Sequence, residues 1–282
     1  MSCTFFAGRQ AALLTMHRKE RAIAPLLAPV LETEIKVISS FNTDRYGTFS
    51  REVPRSGTQI EAARQKAHKA IELTGLEIGL SSEGSFGAHP MVPYLPWNVE
   101  LVMLVDNKTN LELVGDYSSA TTNYAQKTVG DLAGAEEFAR QTGFPDHWLI
   151  VRPEHASHAK LSKDIDSWEK LARAVALSLS VSQSNTVFIE TDMRAHANPT
   201  RMVNIAKAAA ELAAKMTACC PLCGVPGFFV VRKVRGLPCE WCDSPTEETK
   251  AVILGCIKCS YEEVQPVTSG KASAGRCQYC NP

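Results

Sequence analysis

The stretch GLSSEGSFGAHP, residues 79–90, places a single carboxylate, Glu83, among glycines and serines. It continues an apolar segment, LEIGLSS (76–82), that has the composition of a strand. Open α/β sheets bind ligands just beyond the carboxyl ends of their strands. Glu83 is therefore expected either in a tight turn or at a strand end with room for a ligand beside it.

Length and composition describe an ordinary globular protein. The chain has 282 residues, of which 45% are hydrophobic and 21% charged, and its 30 basic residues balance its 30 acidic ones. A net charge near zero argues against a protein that coats nucleic acid by charge alone, since phosphate neutralisation dominates such binding. No stretch approaches the roughly 20 apolar residues of a membrane span. We expect a cytoplasmic protein with no membrane partner.

Strand-like and helix-like segments alternate over residues 1–218. AALLT (11–15) and EIKVISS (34–40) are strand-like, whereas residues 56–75 carry apolar side chains at helical spacing. The same alternation resumes later in this part of the chain. It predicts an α/β domain with a mixed, mostly parallel sheet flanked by helices.

Nine of the ten cysteines lie after residue 218, and eight of them form four Cys-x-x-Cys pairs. Two pairs at this spacing complete a four-sulfur structural zinc site, whereas a disulfide framework would need an oxidising compartment. The sequence therefore predicts a small β-rich double zinc-ribbon domain over 219–282 with two structural zinc ions. Cys3 and Cys219 are expected as thiols outside both sites. The predicted ligands are Cys220, Cys223, Cys239, Cys242, Cys256, Cys259, Cys277 and Cys280.

The strands between the cysteine pairs favour one arrangement of the four. GFFVVRKV (227–234) leaves the first pair and KAVILG (250–255) reaches the third, so antiparallel pairing of these strands brings the two pairs to one end. YEEVQPV (261–267) then runs back toward the second pair, and the fourth pair follows. We expect the first pair to share a metal with the third, and the second with the fourth, with sequential pairing as the alternative.

Two further polar clusters follow apolar strands. TMHRKER (15–21) places a hydroxyl, an imidazole and several cations at a strand-to-helix turn, where backbone N–H groups and the helix dipole attract anions. A solvated basic helix face is the alternative. ETDMRAHANPTRM (190–202) carries two arginines suited to bidentate phosphate contacts, but also fits a turn stabilised by its own side chains. Glu61 could bind a metal, but Thr58-x-x-Glu61 also fits a capping box.

The stretches TMHRKERAIAPLL, NTDRYGTFSREVPR, EAARQKA, GLSSEGSFGAHP and ETDMRAHANPTRM resemble an uncharacterised bacterial family, a domain of unknown function that ends in Cys-x-x-Cys pairs. This resemblance covers essentially the whole chain and implies no established activity. A more distant resemblance is to house-cleaning nucleotide pyrophosphatases of the inosine triphosphatase-like superfamily. It rests on Thr15-Met16-His17-Arg18-Lys19, on Glu61-Ala62-Ala63 with Lys66-Ala67, and on Ser82-Glu83-Gly84.

The second resemblance implies hydrolysis of a phosphoanhydride in a small anionic, nucleotide-like substrate with the help of Mg²⁺ or Mn²⁺. Lys19 and Arg18 would hold phosphates, and Glu61 and Glu83 would hold the metal. The alternative is a non-enzymatic adaptor whose zinc domain docks a protein or nucleic acid, with Trp241 or Tyr279 able to stack on it. The expected catalytic residues are Glu83, Glu61, Lys19 and His196, and the expected substrate-binding residues are Thr15, His17, Arg18, Ser82, Ser85, Arg194, Asn198 and Arg201.

Overall fold

The computed structural model describes residues 4–47, 53, 57–268 and 270–281. Part of NTDRYGTFSREVPR therefore lies outside the described residues. The chain divides into an N-terminal unit, Gly8–Leu212, and a C-terminal unit, Ala213–Pro282 together with Met1–Ala7. The sequence-based boundary, between residues 218 and 219, lies a few positions further along the chain. Within the described residues, no helix combines the length and apolarity that crossing a lipid bilayer demands.

The first sheet of the N-terminal unit has five strands in the order β2-β1-β3-β4-β5. The short apolar strand β1 is wholly buried and pairs in parallel with both β2 and β3. Strands β3, β4 and β5 then form an antiparallel meander. Helix α1 joins β1 to β2, and helix α2 leads into β3. The bounds are β1 Ala11–Leu14, α1 Glu20–Leu31, β2 Ile35–Ile38, α2 Gln59–Thr74, β3 Ile78–Ala88, β4 Pro96–Asp106 and β5 Leu111–Ser119.

The second sheet has four strands in the order β6-β9-β7-β8, and each of its pairings is antiparallel. One of its faces packs against helices α3 and α4 around a core that includes Phe138, Leu171 and Ile189. The long helix α5 follows β9. The bounds are β6 Gln126–Val129, α3 Leu132–Gln141, β7 Leu149–Pro153, β8 Ser162–Ile165, α4 Trp168–Val181, β9 Val187–Thr191 and α5 Pro199–Thr217.

The prediction of a mostly parallel sheet is wrong. Among the described strands of the N-terminal unit, β1 makes the two parallel pairings, whereas the other five are antiparallel. Alternation of strands and helices along the chain does not determine strand direction, because a helix can also join strands that are not neighbours. Here α3 joins β6 to β7, and β9 later enters between them, antiparallel to both.

The C-terminal unit contains an antiparallel sheet of three strands in the order β10-β11-β12, as its sequence predicts. These strands are β10 Phe229–Arg235, β11 Thr249–Gly255 and β12 Glu262–Pro266. Eight cysteines surround this sheet in two clusters. Since the sheet is small, a buried core of cysteine sulfur rather than of large aliphatic side chains holds its ends together.

Close contact between α2 and β3 requires glycine at position 79. A Cβ atom there would lie 2.0 Å from the carbonyl oxygen of Ala67, which belongs to the helix backbone and cannot rotate away. Gly87, on the same strand, has open space around the same position. Glycine is therefore a packing requirement at one of these sites and not at the other.

We expect Gly79→Ala to lower the free energy of unfolding by about 3 kcal/mol, because the helix must move off the strand. Gly87→Ala is the matched control and should change stability by less than about 0.5 kcal/mol. Urea denaturation followed by circular dichroism measures both. Equal stability of the two variants would contradict the tight packing of α2 on β3.

Candidate functional site

A strained turn joins β1 to α1. His17 and Arg18 both have left-handed backbone conformations, with φ of 64° and 60°, which residues other than glycine rarely adopt. Lys19 occupies the N-cap position of α1, and its side chain does not cap the helix. The helix therefore begins without a side-chain acceptor for its first amides, at the end of a buried strand.

The side chain of Lys19 is buried beside the end of β1 and donates a hydrogen bond of 3.3 Å to the carbonyl oxygen of Ser82. Burial lowers the pKa of its ammonium group from 10.5 to about 7, and repulsion by Arg201 acts in the same direction. Glu83 and Glu100 oppose this shift without forming an ion pair with Lys19. Lys19 is thus a buried amine whose charge is poorly compensated.

Strand β3 continues past the end of β1 and delivers Ser82 and Glu83, both buried. Glu83 forms an ion pair with Lys66 of α2. The two adjacent serines differ in hydrogen bonding. Ser81 donates a 2.7 Å hydrogen bond to the carbonyl oxygen of Ala63, whereas the buried Ser82 hydroxyl has no hydrogen-bond partner among the described residues. An unsatisfied buried hydroxyl costs stability and commonly marks a ligand position.

A buried ion pair lies on the other side of β3. Arg201, near the start of α5, donates a 2.8 Å hydrogen bond from Nε to Glu100 of β4. Both side chains are at most 1% exposed. Glu100 faces Gly84 across the two strands, and a Cβ at Gly84 would lie 2.5 Å from Arg201 Nη2. Glycine at 84 therefore makes room for this ion pair.

Arg194, which follows β9, is held by two carboxylates. It donates 3.0 Å hydrogen bonds from Nε to both oxygens of the buried Asp192, and a 2.7 Å bond to Asp164. These interactions raise the pKa of its guanidinium group despite the opposing effect of burial. Arg194 is therefore a fixed positive charge.

Two imidazoles stack beside these cations. The rings of His17 and His196 lie 4.9 Å apart at an angle of 27°, and Trp148 meets His196 edge-on. Burial is the main reason that the pKa of His17 falls to about 3 and that of His196 falls as well. Both rings are therefore neutral at physiological pH and can offer hydrogen bonds and a flat apolar face.

These groups converge on one cavity of about 50 Å³, which accommodates roughly four water molecules. Five of its lining residues are lysine or arginine, and Glu83 is the one carboxylate among the described lining residues. The carboxylates of Glu100, Asp192 and Asp164 lie behind the arginines rather than in the lining. The cavity thus presents positive charge and hydrogen-bond donors. Its lining residues are Leu14, Thr15, Met16, His17, Lys19, Thr43, Gly47, Lys66, Ser82, Glu83, Lys163, Arg194 and Arg201.

Several residues predicted for the site lie outside the cavity lining. Glu61 accepts hydrogen bonds from the backbone and hydroxyl of Thr58, completing a capping box at the exposed start of α2. Ser85 donates to Gln59. Asn198 caps α5 by accepting from the amide of Arg201. Arg18 is exposed in the turn and His196 contacts the lining through His17.

The sequence-based site omitted Lys66 and Lys163, which both line the cavity. A signal for Lys66 was available, because it lies on the same buried face of α2 as Ala63, Ala67 and Ala70. A lysine among alanines on the apolar face of a helix has to find a buried partner. Lys163 belongs to a short strand of the second sheet, and nothing in its local sequence indicates that it reaches this cavity.

The eight cysteines of the C-terminal unit form two clusters that could each hold a metal ion. Neighbouring sulfur atoms lie 3.6 to 3.9 Å apart. A tetrahedral site with metal–sulfur bonds near 2.3 Å places its sulfurs about 3.8 Å apart. The predicted pairing of first with third and second with fourth is confirmed. One cluster is Cys220, Cys223, Cys256 and Cys259, and the other is Cys239, Cys242, Cys277 and Cys280.

Cys219, next to the first cluster in sequence, does not belong to either. It is disulfide-bonded, so the prediction of a free thiol is wrong for this residue. Spacing alone could not show this, because Cys219 adjoins a ligand without sharing its Cys-x-x-Cys pattern. Cys3 lies outside the described residues.

Comparison with known proteins yields one family. A search of curated proteins gives no significant match. The crystal structure of lipoprotein GNA1162 from Neisseria meningitidis is similar over 39% of this chain and 81% of that one, with 16% identity and a TM-score of 0.20, too low to indicate a common fold. The comparisons lend no support to the resemblance to nucleotide pyrophosphatases. The family model described as Domain of unknown function (DUF6671) matches residues 66–282, and the chain belongs to this family.

Proposed function

We propose that the N-terminal unit binds a small phosphorylated molecule in the basic cavity and hydrolyses its phosphoanhydride. The observation that carries this proposal is the composition of the lining, with five cationic side chains and one carboxylate among the described residues. Phosphate oxygens accept several hydrogen bonds at once, and lysine and arginine are their usual partners in proteins. The buried Ser82 hydroxyl, which lacks a partner, supplies a further donor.

The turn before α1 supports the same ligand class. The amides of Arg21 and Ala22 already donate to the carbonyl oxygens of Arg18 and Lys19, so the support comes from the dipole of α1, which favours negative charge at this end of the helix. Fixed positive charges at Arg194 and Arg201 would stabilise charge that develops on the departing phosphate. These groups already hold their positions through ion pairs, so little reorganisation is needed when the substrate binds.

The described lining does not form a site for a bare divalent cation. Its one carboxylate, Glu83, is engaged by Lys66, and Glu61 lies elsewhere as a helix cap. Magnesium binds phosphate oxygens readily and needs few protein ligands. Mg²⁺ or Mn²⁺ would therefore enter as a complex with the phosphates of the substrate. Only the phosphates of a nucleotide-like substrate would enter the small cavity, and the rest would lie outside it, where the His17–His196 stack offers the flat face of a ring.

We propose zinc as the metal of both cysteine clusters, because four thiolates in tetrahedral arrangement select it among available divalent ions. Its role there is to stabilise a unit too small to bury a large core. A second candidate function is docking of a partner by this unit. Each Cys-x-x-Cys pair exposes one large apolar side chain, and Trp241 and Tyr279 are 76% and 68% exposed.

Double substitutions test the metal assignment. Cys220→Ser with Cys256→Ser removes two ligands from one cluster, so we expect one zinc per chain to remain. Cys220→Ser with Cys239→Ser damages both clusters, so we expect almost none. Elemental analysis of the purified proteins measures the zinc content, with two equivalents expected for the unaltered chain. A higher zinc content in the Cys220/Cys239 variant than in the Cys220/Cys256 variant would contradict the pairing.

Measuring substrate turnover tests the proposed hydrolysis. We expect phosphate or pyrophosphate release from at least one nucleoside triphosphate with Mg²⁺ or Mn²⁺, and a loss of at least about 100-fold in Glu83→Gln. The same substitution removes the cavity's carboxylate, so inorganic pyrophosphate should bind more tightly in calorimetry without metal. Glu112→Gln, which removes an exposed partner of Arg64, is the control for both assays. Unchanged turnover in Glu83→Gln would contradict the expectation that hydrolysis needs this carboxylate.

Anion binding should take up a proton above pH 7. The pKa of Lys19 is about 7 in the unliganded cavity, and a bound anion raises it by stabilising the charged form. At pH 8 the amine is largely neutral and must gain a proton, whereas at pH 6 it is already charged. Affinity therefore falls as pH rises through 7, by up to about tenfold per pH unit.

Calorimetry with sulfate measures this linkage, since sulfate does not itself titrate in this range. Titrations in buffers of different ionisation enthalpy should show close to one proton taken up at pH 8 and much less at pH 6. Lys19→Arg keeps the charge at every pH and should abolish the difference. Equal uptake at the two pH values in the unaltered protein would contradict the role of Lys19.

A further inference from the structure

Lys19 differs from Arg201, Arg194 and Lys66 in the group that accepts its hydrogen bond. Arg201 pairs with Glu100, Arg194 with Asp192 and Asp164, and Lys66 with Glu83. Lys19 instead donates to the carbonyl oxygen of Ser82, at 3.3 Å. A neutral carbonyl retains an ammonium group far less strongly than a carboxylate does.

The surroundings of Lys19 favour loss of that proton. The groups with the largest electrostatic effect on it are Arg201 and Lys66, which repel its charge, and Glu83 and Glu100, which attract it. Burial outweighs all four and brings the pKa to about 7. About half of such amines are neutral at pH 7, against roughly one in 3,000 for an exposed lysine.

We infer that Nζ of Lys19 is a nucleophile, and that the cavity accepts a small anionic aldehyde or ketone that Lys19 joins as an imine. In this step the amine lone pair attacks the carbonyl carbon. The nitrogen loses both of its protons, the carbonyl oxygen takes up two, and this oxygen leaves as water while the carbon–nitrogen double bond forms. No oxidant or reductant is consumed.

The cavity fits both parts of such a ligand. Arg194 and Arg201 face the lining with fixed positive charge for its phosphate or carboxylate. The hydroxyl of Ser82, buried without a partner on the residue whose carbonyl contacts Lys19, can donate to the oxygen as negative charge develops on it. A cavity of about 50 Å³ favours a ligand of few carbon atoms. This inference rests on the anion-binding part of the proposed function and is independent of hydrolysis.

Reductive trapping of glyoxylate, a small anionic aldehyde, tests the inference on the full chain. The protein is incubated with glyoxylate and cyanoborohydride at pH 7, digested, and mapped by mass spectrometry. We expect Lys19 to be labelled at least about tenfold faster than any other lysine, because its neutral fraction is so much larger. The terminal α-amino group, also partly neutral at this pH, serves as an internal reference.

Four controls distinguish a site that binds the aldehyde from an amine that is merely reactive. Propanal is neutral and of similar size, so it should label Lys19 with much less preference. Sulfate should slow labelling of Lys19 by glyoxylate without protecting the α-amino group. The labelling rate at Lys19 should rise with pH and level off above about pH 7.5, whereas that of exposed lysines keeps rising. Lys19→Arg should lose the modification while Lys36→Arg, at an exposed position, retains it.

Labelling spread evenly over the lysines, or concentrated at Lys19 without protection by sulfate, would overturn the inference. These readouts use the unaltered protein, so they stand even where Lys19→Arg fails to fold. Labelling of Lys19 in a protein that hydrolyses no nucleotide would leave the inference intact and remove the proposed hydrolase. Nucleotide turnover without preferential labelling of Lys19 would support the proposed hydrolase and overturn the inference.

Discussion

The buried ion pair between Arg201 and Glu100 is the constraint around which the N-terminal unit is arranged. Both side chains are almost completely excluded from solvent, and removing one partner of such a pair costs about 3–5 kcal/mol. Space for the pair requires glycine at position 84, directly opposite Glu100 on the neighbouring strand. Asn98 donates a further 3.0 Å hydrogen bond to Glu100, so the carboxylate is fully occupied.

The same ion pair sets the electrostatics of the cavity. Because Glu100 lies behind Arg201, the guanidinium group keeps its position while its charge still faces the lining. Arg194 and Asp192 repeat this arrangement from another element. Burial is the main reason that the pKa of Lys19 is lowered, and repulsion by the fixed Arg201 adds to it. The low pKa of this amine therefore follows from its burial beside a fixed arginine.

Local chemistry could be predicted from the sequence where a short pattern determines it. The Thr58-x-x-Glu61 pattern predicts the capping box that the structure contains, and that role takes Glu61 away from the cavity. The cysteine spacing, together with three strand-like segments, predicts both metal clusters and their pairing. In each case the partners lie within a few residues or belong to a motif whose geometry is specific.

Strand direction and the full lining of the cavity could not be predicted, because they depend on pairings between distant residues. Strand β9 lies between β6 and β7 and is antiparallel to both, and the local sequence of these strands does not indicate this arrangement. Part of the predicted site nevertheless lines the cavity, namely Thr15, His17, Lys19, Ser82, Glu83, Arg194 and Arg201. The end of β1 leads into the turn that carries His17 and Lys19, in keeping with the rule for open α/β sheets, whereas Ser82 and Glu83 lie within β3 and not beyond its carboxyl end.

The stretch GLSSEGSFGAHP shows how one strand serves two purposes at once. Gly79 and Gly84 are small for packing, the first against α2 and the second against the ion pair. Ser82 and Glu83, between them, turn to opposite faces of β3, and both reach the cavity because β1 ends before it would cover them. The small residues therefore make room for the protein's own charges, and those charges give the described lining of the cavity its positive character.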